Sequence, residues 1–443
     1  MALSRESLTQ QFSGEIVLPE DSTYAELTFA FGASSAPAAV LLPKDTAEVA
    51  AALALVRQLG LPLAVRSGGH SNAGLSTNVG GLVINLSRMN TVELIDTEQG
   101  LVRVGAGATW GQVAETLRPH QLAISSGDTR SVGVGGLTLG GGIGWMVRKY
   151  GLALDQLQAV ELVTADGRVL RASRAENSEL FWALRGAGGN FGIVTSFEFE
   201  AHRVEKVTYA TIMYPVDGLA GLLSAWRQAV RASREELSSS FSLLPPFGEG
   251  DVPKAMVLAC YAGGGAEAEA QLAPLRQLAT PMFADIKEID YADVLEEGQP
   301  PEGMQIVVKN IFYPALTDEV IAAITAAQSQ PGMRVFQLRH LGGAYGRVPA
   351  EESAFAFRDS EIMMFGAHFF PGDATPADIE AGLQPWREVS ALGRGSYINF
   401  LSTATAEDVD LIYPDETRQR LAQLKRTYDP DNLFRGNYNI IPS

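Results

Sequence analysis

The sequence predicts an α+β chain folded as two lobes, and three observations carry that expectation. At 443 residues the chain is too long for a single hydrophobic core. Up to about residue 204, short apolar runs mix with helical segments and glycine-rich turns. From Val207 to about Phe400, strand-like runs alternate with alanine-rich helical ones, the pattern of a sheet with covering helices.

Taken in order, Leu41-Leu42-Pro43-Lys44 leads into Asp45-Thr46-Ala47-Glu48, a helix start, and alanine and leucine continue at helical spacing from Val49 to Leu59. Leu61 to Val65 reads as a buried strand. Gly81 to Asn85 and Leu101 to Gly105 are two more. Thr109 caps a helix that runs to Leu117 and leans on Trp110 and Val113. Val160 to Thr164 is a strand, Ala165-Asp166-Gly167 a hairpin signal, and Arg168 to Arg171 the returning strand. Glu179 to Leu184 makes a short helix, and a strand starts at Phe191 and ends near Phe199. In the second lobe, strands are expected at Ala255–Ala259, Gln305–Val308, Val335–His340 and Ile362–Phe365. Helices are expected at Leu219–Val230, Glu267–Leu278 and Asp318–Gln328. The chain ends with helices over Ala406–Tyr413 and Glu416–Tyr428, stopped by Asp429-Pro430.

Two glycine-rich runs stand out. The first is Val65-Arg66-Ser67-Gly68-Gly69-His70-Ser71, a turn in which residues lacking Cβ let backbone N–H groups converge on an anion. The second runs from Val132 to Gly144. It lacks the Ser/Gln spacers of a linker, and Gly133, Gly135 and Gly136 do not make a dinucleotide G-x-G-x-x-G. Small residues repeated between Val, Leu and Ile indicate backbone lying flat against a large planar ligand. His70, at the end of the first turn, is placed to act as ligand, base or nucleophile; taken alone, it also reads as an ordinary loop histidine.

With Lys149-Tyr150-Gly151-Leu152 and Asp155, Leu180 to Gly186, Asn190 to Val194, and the tail from Tyr428 through Phe434 to Ile440, these runs make six ordered motifs. Their pattern resembles the FAD-linked oxidases of the vanillyl-alcohol oxidase superfamily, in the berberine-bridge-enzyme-like branch. The likeness is strongest over residues 35–205 and 405–443. It implies a two-lobed FAD-binding fold with a substrate lobe of antiparallel sheet covered by helices: residues 1–204 for FAD, 205–404 for substrate, and 405–443 returning to the FAD lobe. It also implies a small-molecule substrate, FAD, and dioxygen as the final oxidant.

The resemblance assigns cofactor contacts to Arg66, Ser67, Gly68, Gly69, His70 and Ser71, and to Gly127, Thr129, Val132 and Gly133. It assigns others to Gly136, Gly140, Gly141, Gly142 and Gly144, to Leu152 and Asp155, to Gly192 and Val194, and to Asn437, Tyr438 and Asn439. Many relatives carry a cysteine where Thr129 stands, forming a second bond to the flavin. A single covalent attachment, from His70 to the 8α-methyl carbon of FAD, is therefore expected here.

For catalysis, Ser396 to Asn399 resembles the family's strand that enters the active site. Alcohol-oxidising relatives read Tyr-x-Asn-Tyr there; this chain reads Tyr397-Ile398-Asn399-Phe400, and the partner position counts to Met364. The usual proton-accepting pair is thus absent, which favours an amine or heterocyclic amine over an alcohol or sugar. Tyr397 and His368 are the alternative bases. Arg339, on one strand face with Gln337, is either an anion clamp or a salt-bridged arginine.

Other classes are excluded or left open. A net charge of −17 without Lys/Arg clusters argues against nucleic acid. There is no leader pattern, no bilayer-length apolar run and no zinc-like Cys/His cluster, so a cytoplasmic protein without a metal or membrane partner is expected. The lone cysteine, Cys260, forms no intrachain disulfide. A flavin-binding protein without turnover is the non-enzymatic alternative. His120 and His202 are expected on the surface.

Overall fold

The chain opens on a four-stranded sheet, with Glu15–Val17, Ala39–Leu42, Leu82–Asn85 and Leu63–Arg66 in that spatial order. The first pairing is antiparallel and the other two are parallel. This is a computed structural model, and it describes residues 4–30, 35–246, 248, 250–297 and 303–443. Parallel neighbours need a crossover, here the helix Thr46–Leu59. The Asp45 carboxylate caps it by accepting from the Glu48 N–H, and Gly60 ends it in the left-handed conformation.

A five-stranded antiparallel sheet follows: Val92–Asp96, Leu101–Gly105, Ile193–Glu200, Leu157–Val163 and Val169–Ser173. The helix Trp110–Leu117 lies beside it with the expected Thr109 cap, strengthened by the Gln112 side chain reaching back to the Thr109 N–H.

The second lobe is a seven-stranded antiparallel sheet. Its order is Phe283–Ile289, Val207–Pro215, Lys254–Tyr261, Leu237–Leu244, Met333–His340, Ile362–Pro371 and Met304–Tyr313. Alternation along each strand divides the side chains between two cores. Ile212, Val257, Phe241, Leu338 and Met364 pack under the helices Leu219–Ala232, Gly265–Arg276 and Asp318–Ser329. Leu258, Cys260 and Met363 instead join the core of the first two sheets. The seven-stranded sheet therefore presents one whole face to the rest of the molecule.

Three expectations about local structure need correcting. The glycine run does not lie flat throughout: Val134–Gly140 is a helix, with Gly133 at its N-cap. Its small residues serve close approach, since a Cβ on Gly133 would stand 2.1 Å from the Gly68 nitrogen. Nor is Ser396–Asn399 a strand. Ile398–Phe400 is a single 3₁₀ turn. The Asn310 amide draws the chain inward there, donating to the carbonyls of Tyr397 and Phe400 and accepting from the Tyr397 N–H. His202 is also not a free surface group. It stacks on Tyr150 at a centroid distance of 3.9 Å and bonds Gln156 through Nε2, while His120 is exposed as expected.

Candidate active site

A cavity of about 410 Å³ lies where both glycine runs, the Tyr397 turn and the C-terminal tail meet. Ser67 holds the two runs together: its hydroxyl donates to the Ala106 carbonyl and accepts from the Gly135 N–H. Gly68 and Gly133 touch backbone to backbone, and neither leaves room for a Cβ. At Gly69, φ is +79°, so the turn that carries His70 depends on glycine.

The structure brings most of the expected residues to the cavity wall. Ser67, Gly68, Gly69, His70 and Ser71 line it from the first run. Gly127, Thr129, Val132, Gly133, Gly136 and Gly140 line it from the second region, with Gly192 and Val194 opposite. Asn437 and Tyr438 come from the tail, and Tyr397 and Asn399 from the 3₁₀ turn.

Others stand behind the wall. The Arg66 guanidinium donates to the Phe29 carbonyl and sits under Gly69, bracing the turn from outside. Gly141, Gly142 and Gly144 shape the loop after the helix. The Gly142 N–H donates to the Tyr397 hydroxyl at 2.8 Å. Leu152 is fully buried. Asp155 forms a buried two-pronged ion pair with Arg358 and caps the Leu152 N–H, a structural assignment. Asn439 does not reach the cavity wall.

The substrate-lobe expectations change most. Met364 and His368 share the sheet face that turns away from the cavity. Met364 lies in the helix-covered core, and His368 packs edge-on against Phe336 and Trp386. Burial pushes the His368 imidazole down to about 4. Alternation puts Phe365, one residue on from Met364, on the cavity side, where it meets Phe400 at 5.3 Å. Arg339 is committed: it donates to Asp128 at 2.5 Å, to Gln337 at 2.7 Å and to the Ile143 carbonyl at 3.4 Å.

Asp128 is the residue that sequence reasoning passed over. It sits between two expected contacts, Gly127 and Thr129, and lines the cavity with them. The signal was its position inside Ser126-Gly127-Asp128-Thr129, a short polar loop between the glycine runs; nothing local announced Arg339, 211 residues away, as its partner. The same loop is clasped by the second lobe, with Thr129 bridged to Glu296 and Ser131 donating to Glu297. Burial lowers the His70 pKa; Glu297 opposes that shift and Arg66 adds to it.

The wall fits FAD on the protein's own evidence. It is long, glycine-paved and mostly apolar, within the size range of cofactor sites. Gly136 is exposed between buried and half-buried neighbours, and a Cβ there would meet no protein atom within 4 Å. The buried Oδ1 of Asn437 has no partner in the protein, although its amide nitrogen has two. A discriminating variant follows. Gly136→Ala is expected to leave the apoprotein as stable as wild type or more so, by up to about 1 kcal/mol of helix propensity. FAD uptake, read from the visible absorbance, is expected to fall severalfold. Equal uptake by both proteins would show that no ligand lies against that helix.

Among the described residues no helix is long and apolar enough to cross a membrane, and no group of three or more His, Cys, Asp or Glu is arranged to hold a metal.

Comparison with known proteins agrees with the site. A family model described as FAD binding domain matches residues 37–173, and one described as berberine and berberine like matches residues 396–441. The (R)-6-hydroxynicotine oxidase of Paenarthrobacter nicotinovorans is 32% identical, over 97% of each chain. The crystal structure of 6-hydroxy-D-nicotine oxidase from Arthrobacter nicotinovorans superposes with a TM-score of 0.86 at 29% identity, covering 98% of both chains. Glucooligosaccharide oxidase from Acremonium strictum, which carries a 6-S-cysteinyl, 8α-N1-histidyl FAD, gives 0.83 at 26% identity over 99% of both.

Proposed function

The chain belongs to the FAD-linked oxidoreductases of the vanillyl-alcohol oxidase superfamily, berberine-bridge-enzyme-like branch, and on that premise we propose that it oxidises a small amine or heterocyclic amine. It is an FAD-dependent oxidase, held in our reading by the cavity described above and joined to the flavin through His70 alone. FAD held there would supply the hydride-accepting chemistry, with dioxygen as the final electron acceptor.

The observation that carries the amine reading is that no tyrosine among the described residues lining the cavity is placed as a proton acceptor. Its titratable lining groups, among the described residues, are His70, Asp128, Tyr397 and Tyr438. Asp128 is paired with Arg339. Burial raises both phenols, and the Tyr397 oxygen already accepts from Gly142 and from the Asn399 amide. Phe400 supplies a phenyl ring where alcohol-oxidising relatives have a tyrosine. An alcohol must lose its hydroxyl proton as hydride leaves, so it needs a base. A neutral amine stabilises the developing positive charge with its own lone pair. The residues then have only to orient the ring and exclude water, which Phe400, Phe365 and Ile398 are placed to do.

Stopped-flow flavin bleaching without oxygen tests this. With two amines of different basicity, the reduction rate is expected to rise with pH through each amine's own pKa. Tyr397 stays protonated throughout because burial holds its pKa high, and His368, held near 4, stays neutral. One shared midpoint that disappears in Tyr397→Phe would restore a protein base. Bleaching by sugars or simple alcohols in place of amines would favour the carbohydrate reading, and bleaching by none of them a binding protein without turnover.

A further inference from the structure

We propose that the Asp128–Arg339 pair is a charge-selecting subsite: Asp128 turns a negative end toward the substrate and prefers cationic ligands, while Arg339 holds that carboxylate in place from behind. The inference rests on the FAD-cavity reading above and extends it to the sign of charge on the substrate.

The asymmetry of the pair carries the argument. Asp128 lines the cavity, whereas Arg339 does not. Both are largely shielded, their side chains retaining 26% and 14% of full exposure, so the interaction is weakly screened. The arginine is saturated on its far side. Its Nε donates to Gln337, whose own amide is anchored by Ser242, and a second nitrogen reaches the Ile143 carbonyl. Its guanidinium lies over the rings of Phe400 and Phe365, with centroid distances of 5.3 and 6.0 Å. Few donors remain to meet a substrate anion. A carboxylate gripped at one oxygen keeps its other lone pairs for a ligand; here Oδ2 takes Arg339, and Oδ1 has only the Thr129 hydroxyl at 3.4 Å.

The neighbourhood is apolar on the other side. Phe400 stands at the same wall and touches both Phe365 and Tyr397. An aromatic plate beside one oriented carboxylate is a recognition pair for a ring bearing a positively charged or strongly donating nitrogen. A carboxylated substrate would meet repulsion from Asp128 with no uncommitted cation to offset it.

Three probes of one shape separate the possibilities: benzylammonium, benzamide and benzoate, titrated against the flavin absorbance of the loaded holoenzyme. Wild type is expected to bind them in that order. Asp128→Asn is expected to weaken benzylammonium about tenfold or more, leave benzamide within about twofold and strengthen benzoate, because a bare guanidinium remains. Arg339→Met is expected to do the reverse, strengthening benzylammonium, while Arg339→Lys keeps the wild-type order. Equal shifts for all three probes in both variants would make the pair a clasp between lobes and overturn the proposal. No shift in either would do the same. If the probes partition as described but amines fail to bleach the flavin, the subsite stands and the amine-oxidase reading falls.

Discussion

His70→Ala is expected to lose all covalent flavin while the protein still folds. Wild-type protein precipitated with acid is expected to retain its yellow colour and one FAD mass on the polypeptide; the variant is expected to release any FAD it holds. Gly69 in the left-handed region, backed by the Arg66 guanidinium, fixes the imidazole at the cavity wall. Burial lowers the His70 pKa below its ordinary 6.5, so the ring is neutral, with a lone pair to share, at neutral pH. Attachment to apoprotein is therefore expected to proceed at neutral pH and to slow on acidification, as the imidazole takes up a proton. No second bond is expected. Thr129 occupies the loop position where relatives have cysteine, and Cys260 is fully buried away from the wall with its thiol pushed up to about 12. Release of free FAD from acid-precipitated wild type would end the attachment claim.

Much of this was legible because the signals were local. Asp45 and Thr109 mark helix starts through caps that depend on three or four neighbouring residues, and the structure puts them there. The strands of the second lobe were legible from apolar runs, though the structure extends most of them: Gln305–Val308 becomes Met304–Tyr313 because pairing with Ile362–Pro371 continues to the end of both. What failed was facing and partnership. Met364 and Phe365 differ by one residue, and a count along a weakly matching stretch cannot tell which of them a sheet turns toward the cavity. Arg339 reads as either a clamp or a salt-bridged arginine, and only the fold supplies its partner, Asp128 of the other lobe. The 3₁₀ turn at Ile398–Phe400 arises from Asn310 on a neighbouring strand, so no reading of Tyr397-Ile398-Asn399 alone could find it.

The same limit applied to the knot that holds the C-terminal tail, and it sets the second large expectation. The segment Glu416–Tyr428 reads only as a helix with Leu421, Leu424 and Lys425 at helical spacing, and the structure gives Asp415–Tyr428. In the fold Lys425 is fully buried, and its ammonium donates to Asp429 at 2.7 Å, to the Asn190 carbonyl at 2.8 Å and to the Phe434 carbonyl at 2.9 Å. The Asp429 carboxylate, also fully buried, accepts from the Leu433 and Phe434 N–H groups. Asn190 passes the connection on, bonding the Tyr438 carbonyl and the Ile440 N–H. Asn190, Phe434 and Tyr438 all line the cavity, so this pair fixes part of its wall. Burial lowers the Lys425 pKa and Asp429 opposes the shift. Lys425→Met leaves the buried Asp429 without its counter-charge and strips two carbonyls of a donor. A loss of about 3–5 kcal/mol is expected by denaturant unfolding. FAD occupancy should fall with it, since the tail that closes the cavity is freed. Lys425→Met with Asp429→Leu removes both charges and is expected to lose less than Lys425→Met alone, although the Leu433 and Phe434 N–H groups then lack acceptors. A change under about 1 kcal/mol in the single variant, with normal flavin content, would mean that apolar packing rather than the ion pair holds the tail.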